Sequence, residues 1–240
     1  MREIFQRELE DGSLSTVEVD LESAEFKGDY PWLFSVFVKY DGVDDSSEAY
    51  ENFLETKESL IIAIEYDGKA KYLGSRLIDG WSEFYFCTSS SKELDSTVNA
   101  IFKDSGLVFE SNVVKDAKWN FYETQLFPSE LEFAHIQSAK IIFLLQEEGD
   151  DLSVERDVEH YLSFDTPTQK ERFLDNLDTE GFSFKDEISS DEFENGVALV
   201  KKHAVTEDVV KKVVNELFNA VKKQSGYYEG WSTTLVEGKV

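Results

Sequence analysis

Three histidines and one cysteine are the residues of this chain best suited to acid–base, nucleophilic or metal chemistry. His135, His160 and His203 lie far apart. None stands in an H-x-x-x-H or H-E-x-x-H spacing, which would place two imidazoles on one helix face around a zinc ion. Val158, His160, Leu162 and Phe164 alternate along an apolar run, so His160 falls on the buried face of a predicted strand. That position suits a core histidine with a satisfied hydrogen bond. The competing reading makes His160 the working group of a small-molecule or metal-dependent enzyme, together with nearby carboxylates. Cys87 ends the aromatic stretch Phe84-Tyr85-Phe86-Cys87 and is expected to be a buried thiol acting as a small hydrophobe.

Other catalytic signatures are missing. The sequence has no G-x-S-x-G elbow, no G-x-G-x-x-G turn and no G-x-x-x-x-G-K-[ST] loop. The segment 186–196 gathers Asp186, Glu187, Asp191, Glu192 and Glu194, oxygen donors of the kind hard cations prefer. Their spacing is not that of a helix–loop–helix calcium site, and a solvated hairpin tip is the expectation. No catalytic residue, cofactor or metal site is therefore expected.

The chain carries 50 Asp and Glu against 24 Lys and Arg, a formal charge of −26 in 240 residues. Such a surface repels phosphates, which argues against direct nucleic-acid binding and for a basic protein partner. The excess is spread over the whole chain rather than held in a tail. Hydrophobic residues make up 41% and aromatics 14%, enough to build real cores. The lone cysteine excludes an intrachain disulfide and suits a reducing cytoplasm. The charged opening, Met1 to Gly12, reads as no secretory signal, and no apolar run is long enough to span a bilayer.

Positioning elements follow from periodicity and caps. In the first half, strands are expected over 15–21, 31–40, 60–66, 72–77, 81–87 and 107–114. A helix capped within Asp44 to Ser47 carries Tyr50, Phe53 and Leu54, and a second carries Leu94, Val98, Ile101 and Phe102. Trp119, Phe121 and Tyr122 sit in a connector ending at Pro128 and are expected to pack between modules. In the second half, Ser129 and Glu132 form a capping box ahead of a helix with Leu131, Ala134, Ser138, Ile141, Ile142 and Leu145 on one stripe. A strand over 158–164, a helix starting at Pro167, a hairpin of 182–188 and 197–203, a helix capped by Thr206 and a strand near Tyr227 complete it. The predicted fold class is α+β: two ferredoxin-like (split βαβ) modules, 1–125 and 126–240, with antiparallel sheets and helices on one face.

Four segments of the second half are Gln146 to Asp151, Val158 to Leu162, Glu180 to Phe182, and Gly226-Tyr227-Tyr228-Glu229-Gly230-Trp231-Ser232. In content, order and spacing they resemble the family of the regulator of ribonuclease E activity B (RraB). The first half is similar to an uncharacterised domain found fused ahead of such a module. The resemblance implies a ferredoxin-like fold and a non-enzymatic inhibitor that binds ribonuclease E. A basic partner would be met by Tyr227, Tyr228 and Trp231 as anchors, with Glu159, His160 and the loop residues Asp191, Glu192 and Glu194 guiding it by charge. An immunity-type protein neutralising a basic toxin would need the same surface.

Overall fold

A computed structural model describes residues 1–40, 48–90, 92, 94–103, 105–177, 181–189 and 195–237. The chain divides into two units, Met1–Phe127 and Pro128–Val240, two residues beyond the expected boundary. The cap expected within Asp44 to Ser47 and the loop residues Asp191, Glu192 and Glu194 lie outside the described residues.

In the first unit, strand β1 (Arg2–Glu8) and strand β2 (Leu14–Asp20) form a hairpin, followed by a 3-10 turn at Leu21–Phe26. Then come β3 (Trp32–Lys39), helix α1 (Glu48–Glu65), β4 (Ala70–Ile78), β5 (Trp81–Thr88), α2 (Leu94–Phe102) and β6 (Phe109–Lys115). All neighbours pair antiparallel in the order β1-β2-β4-β5-β3-β6. One face of this sheet packs Phe34, Val36, Val38, Tyr72, Phe84 and Phe86 against Leu60, Ile61 and Ile64 of α1 and Val98 and Phe102 of α2.

Two expectations for this unit are corrected, and one strand was not anticipated. The charged N-terminus is a strand, because pairing with β2 sets Phe5 opposite Val17 and buries it. Residues 60–65 are the end of α1 rather than a strand. Their β-branched residues favour strand locally, but Phe53, Leu60, Ile61 and Ile64 fall at helical spacing over the sheet, and tertiary burial outweighs propensity. The connector aromatics pack inside the first unit. Trp119 donates its indole N–H to the Tyr30 carbonyl at 3.0 Å, and the Tyr122 hydroxyl reaches the Asp20 carbonyl at 2.9 Å. With the Phe121 ring 4.3 Å from that of Tyr85, this segment covers the sheet face opposite the helices. That is why β3 is apolar on both sides.

The second unit runs α3 (Glu130–Glu147), β7 (Arg156–Ser163), α4 (Pro167–Asp175), β8 (Ser183–Ile188), β9 (Gly196–His203), α5 (Glu207–Lys222) and β10 (Tyr227–Thr233). Its antiparallel sheet has the order β10-β7-β9-β8. Local sequence signals place these helices. Ser129 with Glu132, and Thr166 with Gln169, form full capping boxes, and Pro167 opens α4. Thr206 takes the N-cap backbone geometry of α5 without a side-chain capping bond. Two adjoining apolar clusters fill this unit. Ala134, Ile142, Val158, Val205, Val210, Val214 and Trp231 form one; Leu162, Phe164, Phe173, Val197, Leu199, Leu217 and Val221 form the other. Each unit is thus α+β, an antiparallel sheet with helices packed on it. Among the described residues no helix is long and apolar enough to cross a membrane.

Candidate functional site

Strand alternation sends Val158, His160 and Leu162 of β7 inward and Glu159 and Tyr161 to the opposite face. His160 is fully buried, where the two apolar clusters meet. Its Nδ1 lies 3.0 Å from the Tyr228 hydroxyl, and its Nε2 lies 3.1 Å from Nε2 of His203. His203 in turn has its Nδ1 2.7 Å from the carbonyl of Ala204.

The partners assign every proton. A carbonyl only accepts, so His203 carries its hydrogen on Nδ1 and its neutral Nε2 is an acceptor. His160 must then donate from Nε2, which leaves its Nδ1 to accept from Tyr228. The result is one directional chain: Tyr228 O–H to His160, His160 N–H to His203, His203 N–H to the Ala204 carbonyl. Electrostatics holds both rings neutral. Burial, then the neighbouring His203 and Lys201, pushes His160 down to about 3. Burial, with Lys201 adding to it and the Ala204 bond opposing it, lowers His203. Burial also raises Tyr228 above the ordinary phenol range.

Strand β10 reaches this chain through a bulge. Tyr228 pairs with Leu162, Gly230 with Tyr161 and Trp231 with His160, so Glu229 is the extra residue. Three residues apart on a regular strand, Tyr228 and Trp231 would fall on opposite faces; the bulge turns both inward. Gly230 supports the bulge at φ +128°, a conformation side chains disfavour. Trp231 is only 4% exposed and donates its indole N–H to Ser138 Oγ on α3 at 3.0 Å. Glu229 turns outward and accepts a hydrogen bond from Ser163. The G-Y-Y-E-G-W stretch is therefore a fastening strip joining β10 to β7, β9 and α3.

The expected site residues separate accordingly. Trp231 was expected at a partner surface, and the structure corrects it to a core position because the bulge directs it inward; His160 is the core histidine its strand position suggested and does not reach a partner surface. Tyr228 is half-buried beside them. Tyr227 stays on the surface, 41% exposed, with the Lys222 ammonium 4.5 Å from its ring centre. Glu159 lies on the outer sheet face, where it pairs with Lys185 and accepts from Tyr161. Hydrogen bonding to Lys185 lowers the Glu159 pKa.

The carboxylate partner that an enzymatic His160 would need is thus turned away. His135 is no substitute, for it donates to Asn215 at 2.9 Å, bracing α3 against α5. Among the described residues no group of three or more His, Cys, Asp or Glu side chains could hold a metal. Clefts of 470 Å³ in the first unit and 310 Å³ in the second are lined by other residues. Sequence reasoning missed His203 and Ser138 as partners. The signal available for His203 was its place at the end of an apolar strand.

A family model for the regulator of ribonuclease activity B (RraB) matches residues 135–233, which contain the whole hydrogen-bonded chain and the bulge. A model for a family of unknown function (DUF695) matches residues 7–127, the first unit almost in full. No curated protein matches the chain. The chain therefore belongs to the DUF695 family through its first unit, and its second unit matches the RraB family model.

Proposed function

We propose that this chain is a non-enzymatic, acidic regulator whose second unit binds a basic protein, an RNA-degrading enzyme of the ribonuclease E type, and restrains it. The observation that carries this reading is the RraB match over 135–233, since that family's description is a regulator of ribonuclease activity. Charge agrees with it. A formal −26 favours encounter with the basic, RNA-binding surfaces of a nuclease and disfavours RNA itself. The buried, neutral, fully bonded histidines support a structural rather than a catalytic role for His160.

In this reading Tyr227 and Glu159 meet the partner, and the loop residues Asp191, Glu192 and Glu194 steer it. Tyr228, His160 and Trp231 act from within, by holding β10 in place. Both units contain the element order β-α-β-β-α-β, in the first from β3 to β6, and the last strand of that motif lies beside its first, β6 by β3 and β10 by β7, which supports a split βαβ fold for the two. We place the protein in the cytoplasm, where a lone thiol stays reduced.

The test is a binding titration of the full chain against a ribonuclease E-type enzyme, with RNA cleavage followed in parallel. Binding should inhibit cleavage and weaken steeply between 50 and 300 mM salt, because exposed charges are screened over about 8 Å at physiological ionic strength. Tyr227→Ala should weaken binding at least tenfold without loss of folding. Absence of binding at low salt, or an affinity indifferent to salt, would overturn the reading.

A further inference from the structure

We propose that the Tyr228–His160–His203 chain is an acid-sensitive latch: a proton taken up at Nε2 of His203 breaks its bond to His160 and releases the edge strand β10. The chain has one polarity and no spare acceptor at its centre. A proton on His203 Nε2 would set two N–H donors head to head across the 3.1 Å gap. The rings part unless His160 also moves its hydrogen to Nδ1, and that shift costs the Tyr228 hydroxyl its acceptor; in both cases the tie from β10 to His160 is loosened.

The charged groups around the pair do not welcome that proton. From β9, Lys201 lowers both imidazoles; its own ammonium is held by Glu216 of α5 at 3.1 Å and lies over the Phe182 ring. From β7, Arg156 pairs in register with His203, but Asp150 is bonded to its guanidinium. The carboxylates beside these cations, Glu216 and Asp150, are thus already committed to them. From β10 comes only the neutral phenol of Tyr228. The neighbouring core positions of α5, Val210, Val214 and Leu217, are apolar, and His135 of α3 is engaged with Asn215.

With folded pKa values below the ordinary histidine range, the latch is closed above about pH 6.5 and its contribution is lost as pH falls below that value. The strand that should respond first is β10, because it is an edge strand paired with β7 alone, while β7 and β9 are each paired on both sides. This inference does not depend on the identity of any partner.

Backbone amide exchange of the full chain, corrected for the intrinsic pH dependence of exchange, tests it. Each proton taken up raises an opening constant by up to about tenfold per pH unit, so Tyr227–Thr233 should lose about fifteenfold in protection between pH 6.5 and pH 5. Val197–Leu199 should lose far less. In His203→Gln, whose side-chain carbonyl can accept from His160 without titrating, β10 should keep its protection at pH 5. Nitrogen-15 spectra of the wild-type imidazoles should give His203 as the Nδ1–H form and His160 as the Nε2–H form at pH 7. His203 should charge as β10 opens, a readout that survives if His203→Gln fails to fold. The latch is overturned if β10 protection is unchanged at pH 5, if His203 is charged at pH 7, or if a folded His203→Gln loses β10 protection like the wild type.

Discussion

The indole N–H of Trp231 donates to Ser138 Oγ at 3.0 Å, and Ser138 passes its own hydrogen to the Ala134 carbonyl one helical turn back at 2.8 Å. This links the last strand of the second unit to its first helix through a fully satisfied buried polar pair. Trp231→Phe keeps most of the ring's packing and removes only the donor, so it should cost about 1–2 kcal/mol. Trp231→Ala should cost about 3–5 kcal/mol through the cavity it leaves. Ser138→Ala strands the indole N–H and should cost about 1–3 kcal/mol. In a double-mutant cycle by urea denaturation, Trp231→Phe and Ser138→Ala should couple by more than about 0.5 kcal/mol. Strict additivity would mean the bond contributes nothing.

The bulge predicts a less conventional result. Gly230 has open space where a Cβ would stand, so only its φ of +128° resists substitution. Gly230→Ala should therefore destabilise by about 1–3 kcal/mol from backbone strain alone. Deleting Glu229 should do something different, because it removes the bulge and leaves Tyr228 and Trp231 two positions apart, so that both still face the core on a regularly paired strand. Tryptophan fluorescence checks this. Both variants should leave the emission of the folded protein in place; a red shift in the deletion would show that Trp231 had left the core.

These two cases mark where the sequence is legible. Alternation in Val158, His160, Leu162 and Phe164 gives the buried face of β7 directly, and the capping boxes at Ser129 and Thr166 fix two helix starts, because both are local codes. Trp231 defeats the same alternation rule, since one inserted residue inverts every side chain beyond it and an aromatic-rich strand looks plausible in either register. The pairing of His160 with His203 joins strands separated by α4 and β8 and has no local signal. Residues 60–65 fail for a third reason. Their β-branched content favours strand, and only the neighbouring sheet, absent from any local window, makes a helix the better way to bury Leu60, Ile61 and Ile64.

Cys87 should be chemically silent in the native state. It is buried, and that burial pushes its thiol up to about 12, with small opposing contributions from backbone hydrogen bonds. At pH 7.5 the thiolate fraction is then negligible. A thiol-reactive disulfide reagent should label Cys87 only on the timescale of unfolding, and one equivalent should react at once in denaturant. Stoichiometric labelling of the native chain within seconds would show the thiol to be accessible.

Arg156 and Asp150 form the other buried polar feature, and they respond to pH in a separate window. Their side chains are 5% and 0% exposed. Arg156 also donates to the carbonyls of Asp151, Val154 and Thr234, and Asp150 accepts from the Val236 N–H. The pair thereby clasps the segment after α3 to the stretch beyond β10. Burial alone would raise the Asp150 pKa, but the Arg156 hydrogen bond, the Val236 N–H and the guanidinium charge together carry it below the ordinary carboxylate value. A depressed acid stabilises above its unfolded pKa, near 3.9, and that stability is lost as pH falls through the folded value. Arg156→Met leaves an uncompensated buried carboxylate and should cost about 3–5 kcal/mol at pH 7. Exchanging both residues for apolar ones of similar size should cost less than either single change. The wild type should accordingly lose stability in two steps on acidification. The first begins near pH 6.5 and should be smaller in His203→Gln, where only the lowered His160 and His135 still contribute; the second begins below about pH 4 and should be smaller once Asp150 and Arg156 are both replaced. Denaturant midpoints of these variants, measured from pH 8 to pH 3, would separate the steps. A single transition shared by all variants would place the acid sensitivity elsewhere in the chain.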